Sequence, residues 1–326
     1  RRSAIFFYLI TAPGKISFSL AHLSDLHLPM ADGLAWRDLF SKRLFSRISW
    51  QTKRRHIHRP EVLDLLIADL LAQHPDHVAV TGDVTNLSLA GEFDRSFAWL
   101  DRLGTPENVT LIPGNHDRLV ALREDEGPSR WSRWMQGDDK SAAFPFVRVR
   151  GPVALVGVNT AVPTPLFQAG GRAGSDQIAV LGARLAELGA RGLYRIVLIH
   201  HPIGEGLAPE RKALEDRAAV RAAIADAGAE LVLHGHNHTA EFYAVQSPAG
   251  PVPVIGVSSA SAIATEKETR PGRTNHAARW HLMEIAQTPA GWHTAVTARR
   301  LTPSGNFEMC GHFAFDAPLA AFSIAS

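Results

Sequence analysis

Histidine, aspartate and asparagine gather in this sequence into five short clusters. They are Asp25-Leu26-His27, Gly82-Asp83-Val84-Thr85-Asn86, Gly114-Asn115-His116-Asp117, His200-His201-Pro202 and His234-Gly235-His236-Asn237-His238. Carboxylate, imidazole and amide donors together suit divalent cations of the Mn, Fe, Zn or Mg kind. The scarcity of thiolates, with Cys310 the only cysteine, argues against a structural zinc site of the cysteine type. Asp25 and His27 stand two residues apart, as do His236 and His238, so at a frayed strand end each pair can reach one side and serve one ion. Asp25, His27, Asp83, Asn115, His200, His236 and His238 make seven candidate ligands. One tetrahedral or octahedral ion needs fewer, and a carboxylate can bridge two. Singly, each cluster has a plainer reading: a Gly-Asp turn, an Asn- and Asp-held turn, a hydrogen-bonded histidine pair. Only their recurrence at equivalent places points to one shared site.

Those places are the ends of apolar runs. Strand-like stretches at 19–23, 77–80, 109–112, 153–158, 195–199 and 230–233 alternate with helical patterns at 60–73, 92–103, 176–188 and 213–227. Pro60 suits the first turn of its helix. Strand and helix in alternation predict a layered α/β fold with buried parallel strands. In such a sheet ligands bind outside the carboxyl ends of the strands, so the five clusters should converge on one crevice. After His238 the texture changes, and 242–245, 252–257, 280–285 and 292–301 read as antiparallel strands between Pro and Gly turns. The expected organisation is an N-terminal extension at 1–17, one domain at 18–301 with an insertion at about 29–59, and a tail at 302–326. The tail has no clear periodicity and carries Gly305, Gly311 and Pro318, so loose packing is expected there.

Composition narrows the class without naming a partner. The chain has 326 residues, 45% of them apolar and 20% charged, which excludes a largely disordered chain or a fibre. Net charge is +2, so attraction to phosphate or anionic lipid must come from local patches. The apolar run at residues 4–10 is far short of the roughly 20 needed to cross a bilayer. It imitates a secretory leader, but no Ala-x-Ala site follows, and an extra strand or upstream extension is the preferred reading. One cysteine fits a reducing compartment, hence a cytoplasmic location, with the inner membrane face as a second place.

That second place rests on residues 36–59. Eight Lys or Arg (Arg37, Lys42, Arg43, Arg47, Lys53, Arg54, Arg55, Arg59) stand there against one acid, Asp38. Trp36, Phe40, Leu44 and Ile48 recur every four residues, with Leu39, Phe45 and Trp50 adding apolar surface. The segment leaves the first strand directly after the first cluster. It can be a lid whose bases hold substrate phosphates, a patch resting on anionic membrane, or a solvated helix packed by its apolar side. Trp131, Trp134 and Met135 either complete the same rim or pack on it.

In order, Asp25-x-His27, Gly82-Asp83, Gly114-Asn115-His116-Asp117, His200 and Gly235-His236-x-His238 resemble the signature of the calcineurin-like metallophosphoesterases, over about residues 18 to 300. The resemblance implies a four-layer αββα sandwich with two mixed sheets and a site for two divalent ions, Mn, Fe, Zn or Co. It assigns Asp25, His27, Asp83 and His238 to one ion, and Asp83, Asn115, His200 and His236 to the other, with Asp83 bridging. A hydroxide shared by the ions would attack phosphorus in line. His116 is expected to act as general acid with Asp117 holding its other ring nitrogen, and Asn86 and His201 to orient ligands. His22, on the opposite face of its strand, reads as structural. Ser24-Asp25-Leu26-His27, the Gly82 to Asn86 run and His200-His201-Pro202 look most like the class III cyclic-nucleotide phosphodiesterases. The members that split UDP-diacylglucosamine share a basic, apolar cap but usually carry Arg where this chain has His116.

The expected function is hydrolysis of small phosphodiesters, cyclic nucleotides favoured. Two alternatives stand beside it: a membrane-surface pyrophosphohydrolase or phosphodiesterase on a nucleotide-linked or phospholipid substrate, and a noncatalytic metal-binding scaffold. The retention of His116 beside a full ligand set speaks against the scaffold. A small phosphorylated substrate is the expected partner, with lipid contact through 36–59 as the other; no extended basic groove for nucleic acid is legible.

Overall fold

A computed structural model describes residues 17–29, 38, 41–123, 126–264 and 276–318. The extension at 1–16, together with Trp36, Arg37, Leu39 and Phe40 of the insertion, lies outside them. The elements run β1 (Ser17–Leu23), α1 (Lys42–Thr52), α2 (Pro60–Ala72), β2 (His77–Val80), α3 (Ala90–Leu103), β3 (Val109–Leu111), β4 (Phe146–Arg150), β5 (Val153–Gly157), α4 (Ser175–Ala190), β6 (Tyr194–Leu198), α5 (Arg217–Ala227), β7 (Leu231–His234), β8 (Glu241–Val245), β9 (Val252–Gly256), β10 (Arg279–Thr288), β11 (Gly291–Leu301) and β12 (Phe307–Ala317). They form two six-stranded sheets, ordered β12-β11-β10-β1-β2-β3 and β4-β5-β6-β7-β9-β8. Both are mixed. β1, β2 and β3 are parallel, while β10 to β12 join antiparallel. In the other sheet β5, β6, β7 and β9 are parallel, and β4 and β8 flank them antiparallel.

Strands with no polar face need cover on both sides, and the alternation of side chains along β6 and β7 supplies it. Ile196, Leu198, Leu231 and Leu233 turn toward the first sheet and join a core with Leu20, Leu23, Val78 and Val80, on which Leu63, Leu66 and Leu70 of α2 and Phe93 of α3 also pack. Val197 and Val232 turn the other way, against Leu181 and Leu185 of α4 and Val220 and Ile224 of α5. The result is the expected αββα sandwich. Fully burying such a side chain contributes about 1.5–3 kcal/mol. A Tyr194 to Thr294 hydroxyl bond of 2.7 Å ties the two sheets across their interface.

The structure departs from the sequence reading in four places. Residues 307–317 are not a loose tail: β12 pairs with β11 along its length and extends the first sheet. Its outer face is mostly exposed, so the strand lacks the apolar density that marks a buried one. Residues 146–150 form β4, an edge strand whose polar positions, Arg148 and Arg150, hid it. Arg148 is nevertheless buried, and its guanidinium donates to the carbonyls of Gln136, Pro106, Val109 and Arg133. Trp131, Trp134 and Met135 belong to the core under α3 and not to any rim, with Phe93 and Trp131 rings 4.8 Å apart. The fifth helix also starts later than residue 213, because Leu214 bridges to Gly171 instead.

Candidate metal centre

Backbone pairing sets the first two clusters side by side. Beyond the ends of β1 and β2 the ladder continues, Asp25 N donating to Gly82 O at 2.9 Å and His27 N to Asp83 O at 3.0 Å. Five of the seven candidate ligands then turn into the left-handed region, with φ of 55° at Asp25, 43° at His27, 54° at Asp83, 71° at His236 and 56° at His238. Such a conformation is costly for residues with a Cβ and collects where surrounding structure imposes it for a purpose. Glycine provides the close approach behind them. A Cβ on Gly82, itself at φ 99°, would lie 2.5 Å from Gly114 N, and one on Gly114 would run into the Asp83 carboxylate.

All seven side chains meet in one crevice, in two groups sharing Asp83. In the first, His27 Nε2 is 3.2 Å from His238 Nε2, 4.0 Å from Asp25 Oδ1 and 3.9 Å from Asp83 Oδ2, and His238 Nε2 is 3.2 Å from Asp25 Oδ1. In the second, His200 Nε2 is 3.5 Å from the same Asp83 Oδ2 and 3.2 Å from Asn115 Oδ1, which lies 2.9 Å from His236 Nδ1. The outward nitrogens are held on backbone carbonyls: His200 Nδ1 on Thr81 O at 2.7 Å, His236 Nε2 on Lys212 O at 2.9 Å, His27 Nδ1 on Thr85 O at 3.3 Å. A ring proton fixed on a carbonyl leaves the other nitrogen as a lone-pair donor, the usual arrangement of histidine around a metal. Asp25 Oδ1 is buried and accepts no hydrogen bond. The donor set therefore fits two divalent ions.

The electrostatics agree. Burial would raise the Asp83 carboxyl, but the His200 and His116 imidazoles and their hydrogen bonds hold it well below the usual carboxylate range. Burial likewise opposes charge on His200, and Asp83 overrides it, raising the ring to about 9. A buried carboxylate that draws protons onto its neighbours draws a cation as readily.

His116 is at the centre, but not held as expected. Its N–H donates to Asp83 Oδ1 at 2.7 Å, and its Nδ1 lies 2.8 Å from the carbonyl of Asn86, not from Asp117. Asp117 is occupied otherwise: it accepts from Gly114 N at 2.9 Å, Thr85 N at 2.8 Å, Val84 N at 3.3 Å and Thr85 Oγ1 at 3.0 Å. It is a brace joining the second and third loops. Burial, with the charge of Asp83, pushes its carboxyl up to about 7. Burial and then the Arg54 guanidinium take His116 down to about 4, leaving Nε2 bare at neutral pH. Asn86 thus serves His116 through its backbone, while its side chain donates to Leu28 O at 2.6 Å. His201 spends Nδ1 on Thr160 Oγ1 at 2.8 Å and Nε2 on Ala169 O at 3.3 Å, and lies with its ring 4.4 Å from His236, which it positions. His22 is buried with Nε2 on Thr81 Oγ1 at 3.0 Å.

The insertion brings residues the motifs did not reveal. Helix α1, capped by Ser41, spans the mouth of the crevice: Arg43 donates to Leu87 O and Ser88 O on one side, and Lys42 to Thr164 Oγ1 at 2.6 Å on the other. Trp50 is buried and stacks on His58 at 6.3 Å. The stripe does not bury as a whole, since Ile48 is 48% exposed. A short turn at Arg54–His56 follows, pinned by Ile263 N to Ile57 O at 2.9 Å and Arg59 N to Ser261 O at 2.9 Å. Arg54 enters the centre, Nη1 3.0 Å from His116 Nε2 and Nη2 2.8 Å from His27 Nε2. Buried His58 stands beside His27 and His238, its Nδ1 on Ser261 Oγ at 2.9 Å, so it could offer a further ligand. Glu92, also buried, accepts from the N–H groups of Asn86, Leu87 and Leu89 and shapes the loop behind His116. No periodicity in the sequence marks these three: Arg54 meets His27 and His116 across 27 and 62 positions and His58 meets Ser261 across 203, while Glu92 acts through main-chain donors that leave no mark in residue type. The crevice encloses about 690 Å³ and is lined also by Lys53, Lys212 and Asn237.

Comparison with known proteins follows this geometry. A family model described as calcineurin-like phosphoesterase matches residues 18–240. A dimetal phosphatase from Danio rerio has the same fold with a TM-score of 0.60 at 12% identity, covering 92% of this chain and 99% of that one. Purple acid phosphatase from yellow lupin, Lupinus luteus, gives 0.59 at 14% identity over 92% of this chain and 54% of its own. No curated protein matches the sequence. With well over half of its length matched by that model, the chain belongs to the calcineurin-like phosphoesterases, metal-dependent hydrolases of phosphoric esters.

Proposed function

We propose that the crevice hydrolyses phosphodiesters of small soluble molecules, cyclic nucleotides being the favoured class. The observation carrying this reading is the arrangement about Asp83. One carboxylate oxygen faces both donor groups, and the other is clamped by the backbone N–H of His116, the residue able to move a proton. When bound, two divalent ions supply Lewis acidity toward phosphoryl oxygens and a water acidic enough to attack phosphorus near neutral pH. Asp25, His27, Asp83 and His238 would hold one, and Asp83, Asn115, His200 and His236 the other. His116 donates from Nε2 to the departing alkoxide oxygen, its ring fixed by Asn86 O. An anionic substrate beside the ring draws Arg54 away from Nε2 and favours the imidazolium that donation requires. A crevice of this volume accommodates a nucleotide-sized ligand. The proposed location is the cytoplasm, in keeping with one free and exposed cysteine.

The test is hydrolysis of bis(p-nitrophenyl) phosphate with Mn²⁺, beside the monoester, by wild type and Asp83→Asn. Wild type should cleave the diester faster, and the variant should lose at least about 100-fold. Equal inactivity would favour the noncatalytic scaffold, and preference for the monoester would overturn the diester assignment.

One feature supports a second reading, substrate held at a membrane surface. Phe45 and Ile48 of α1 and Leu166 and Phe167 of the facing loop are 47%, 48%, 41% and 68% exposed, and the Phe45 and Phe167 rings touch at 5.5 Å. With Arg47 and Lys53 nearby, this is an apolar tip with basic flanks at the mouth of the site. Co-sedimentation with anionic vesicles that Phe45→Ser/Phe167→Ser abolishes would favour it.

A further inference from the structure

Arg54 raises a problem of charge. Its guanidinium stays protonated at any accessible pH. It lies in the centre of a site built to receive two divalent cations, with Nε2 of His27 and Nε2 of His116 as its hydrogen-bond acceptors. Among the described residues no carboxylate lies within ion-pair distance of it. A cation there is repelled by any metal on His27 unless an anion stands between them. Nη2 lies 2.8 Å from Nε2 of His27, a candidate ligand, so the guanidinium stands at the edge of the metal site. Its attraction there is to the more distant carboxylates of Asp83, Asp25 and Glu92; ions held by Asp83 and Asp25 would offset their charge and leave the guanidinium for an anion.

The turn carrying Arg54 limits how far it can go. Residues 57 to 59 pair with 261 to 263, and the preceding helix is anchored at its start by Lys42 and Arg43, so the side chain has more freedom than the backbone that carries it. Within that reach are the space between His27 and His116 and the cavity shared with Lys53 and Lys212. Resting on the proposed reaction, we infer that Arg54 is the phosphoryl-binding residue of this enzyme, its forked N–H groups taking two nonbridging oxygens of the substrate and delivering the leaving oxygen to His116. Such bidentate pairing also fixes the in-line angle of attack, which a point charge such as Lys53 cannot do. The insertion is then a substrate clamp built onto the common metal site.

The test measures binding apart from turnover. Inorganic phosphate is titrated by calorimetry into Mn²⁺-loaded wild type, Arg54→Ala and Arg54→Lys, with metal content measured on the same samples. Both variants should keep the wild-type metal content. Phosphate affinity should fall about 10- to 100-fold in Arg54→Ala and be partly restored by Lys. Unchanged affinity in Arg54→Ala, loss of metal with the arginine, or no phosphate binding by wild type would each overturn the inference. If affinity falls as expected while wild type cleaves no ester, the phosphate clamp stands and the hydrolytic reading fails.

Discussion

His116 and Asp117 are neighbours with opposite duties, and substitution should separate them. His116 has one nitrogen on a backbone carbonyl and the other aimed into the centre. Replacing it by Ala should lower turnover about 10²- to 10⁴-fold while both metals stay bound. Parallel loss of metal would make it a ligand and not an acid. Asp117 carries four hydrogen bonds from two loops and touches no substrate path. Asp117→Ala should cost at least about 3 kcal/mol in denaturant unfolding, because buried donors lose their acceptor. The seven converging residues were legible because each follows an apolar run and carries a side chain with few other uses. The partner of His116 was not. Adjacency in sequence suggested Asp117, yet the turn that sends its carboxylate inward places the Asn86 carbonyl, 30 positions away, behind the ring. Main-chain acceptors leave no trace in residue type.

At the scale of elements, what the sequence hid was exposed. Buried parallel strands announce themselves through unbroken apolar runs, and those at 77–80 and 109–111 begin where expected. β12 has only Phe307 and Ala317 fully buried, one at each end, and its interior reads as a polar tail. Its energetic role lies in covering β11. Deletion of residues 302–326 would uncover a strand of 11 residues with unpaired N–H and C=O groups. Such an edge templates association. The truncated protein should elute in size-exclusion chromatography as aggregate or oligomer where the full chain does not; an unchanged elution volume with unchanged thermal midpoint would make β12 dispensable. Helix α1 illustrates the same limit. Its basic residues looked alike in sequence, but Lys42 and Arg43 anchor it, while Arg54 beyond it enters the site.

Across the whole molecule, the site is a joint between the sheets. Asp25, His27, Asp83 and Asn115 come from the first, and His200, His236 and His238 from the second, so ions held by both groups would tie the two sheets together. Chelation should lower the unfolding free energy, by about 2.7 kcal/mol per site relative to free Mn²⁺ at 100 times its dissociation constant. Other histidines make the fold sensitive to acid independently of metal. His77 on β2 and His281 on β10 are buried in the first sheet. Burial, then Arg150 and Arg148, takes His77 to about 3, and burial, then Arg279, takes His281 to about 3. Unfolded, each titrates near 6.5, so between these values the unfolded chain binds the extra proton. Their contribution is therefore complete above pH 6.5 and lost as pH falls toward 3, about 2 kcal/mol for each by pH 5. Chemical unfolding of wild type and of His77→Gln/His281→Gln at pH 7.5 and 5 tests this. Metal-site titrations are common to both proteins and cancel in the comparison, so the double variant should lose about 4 kcal/mol less on acidification. Parallel losses would mean that water reaches these rings and that the sheet interior is less dry than their burial indicates.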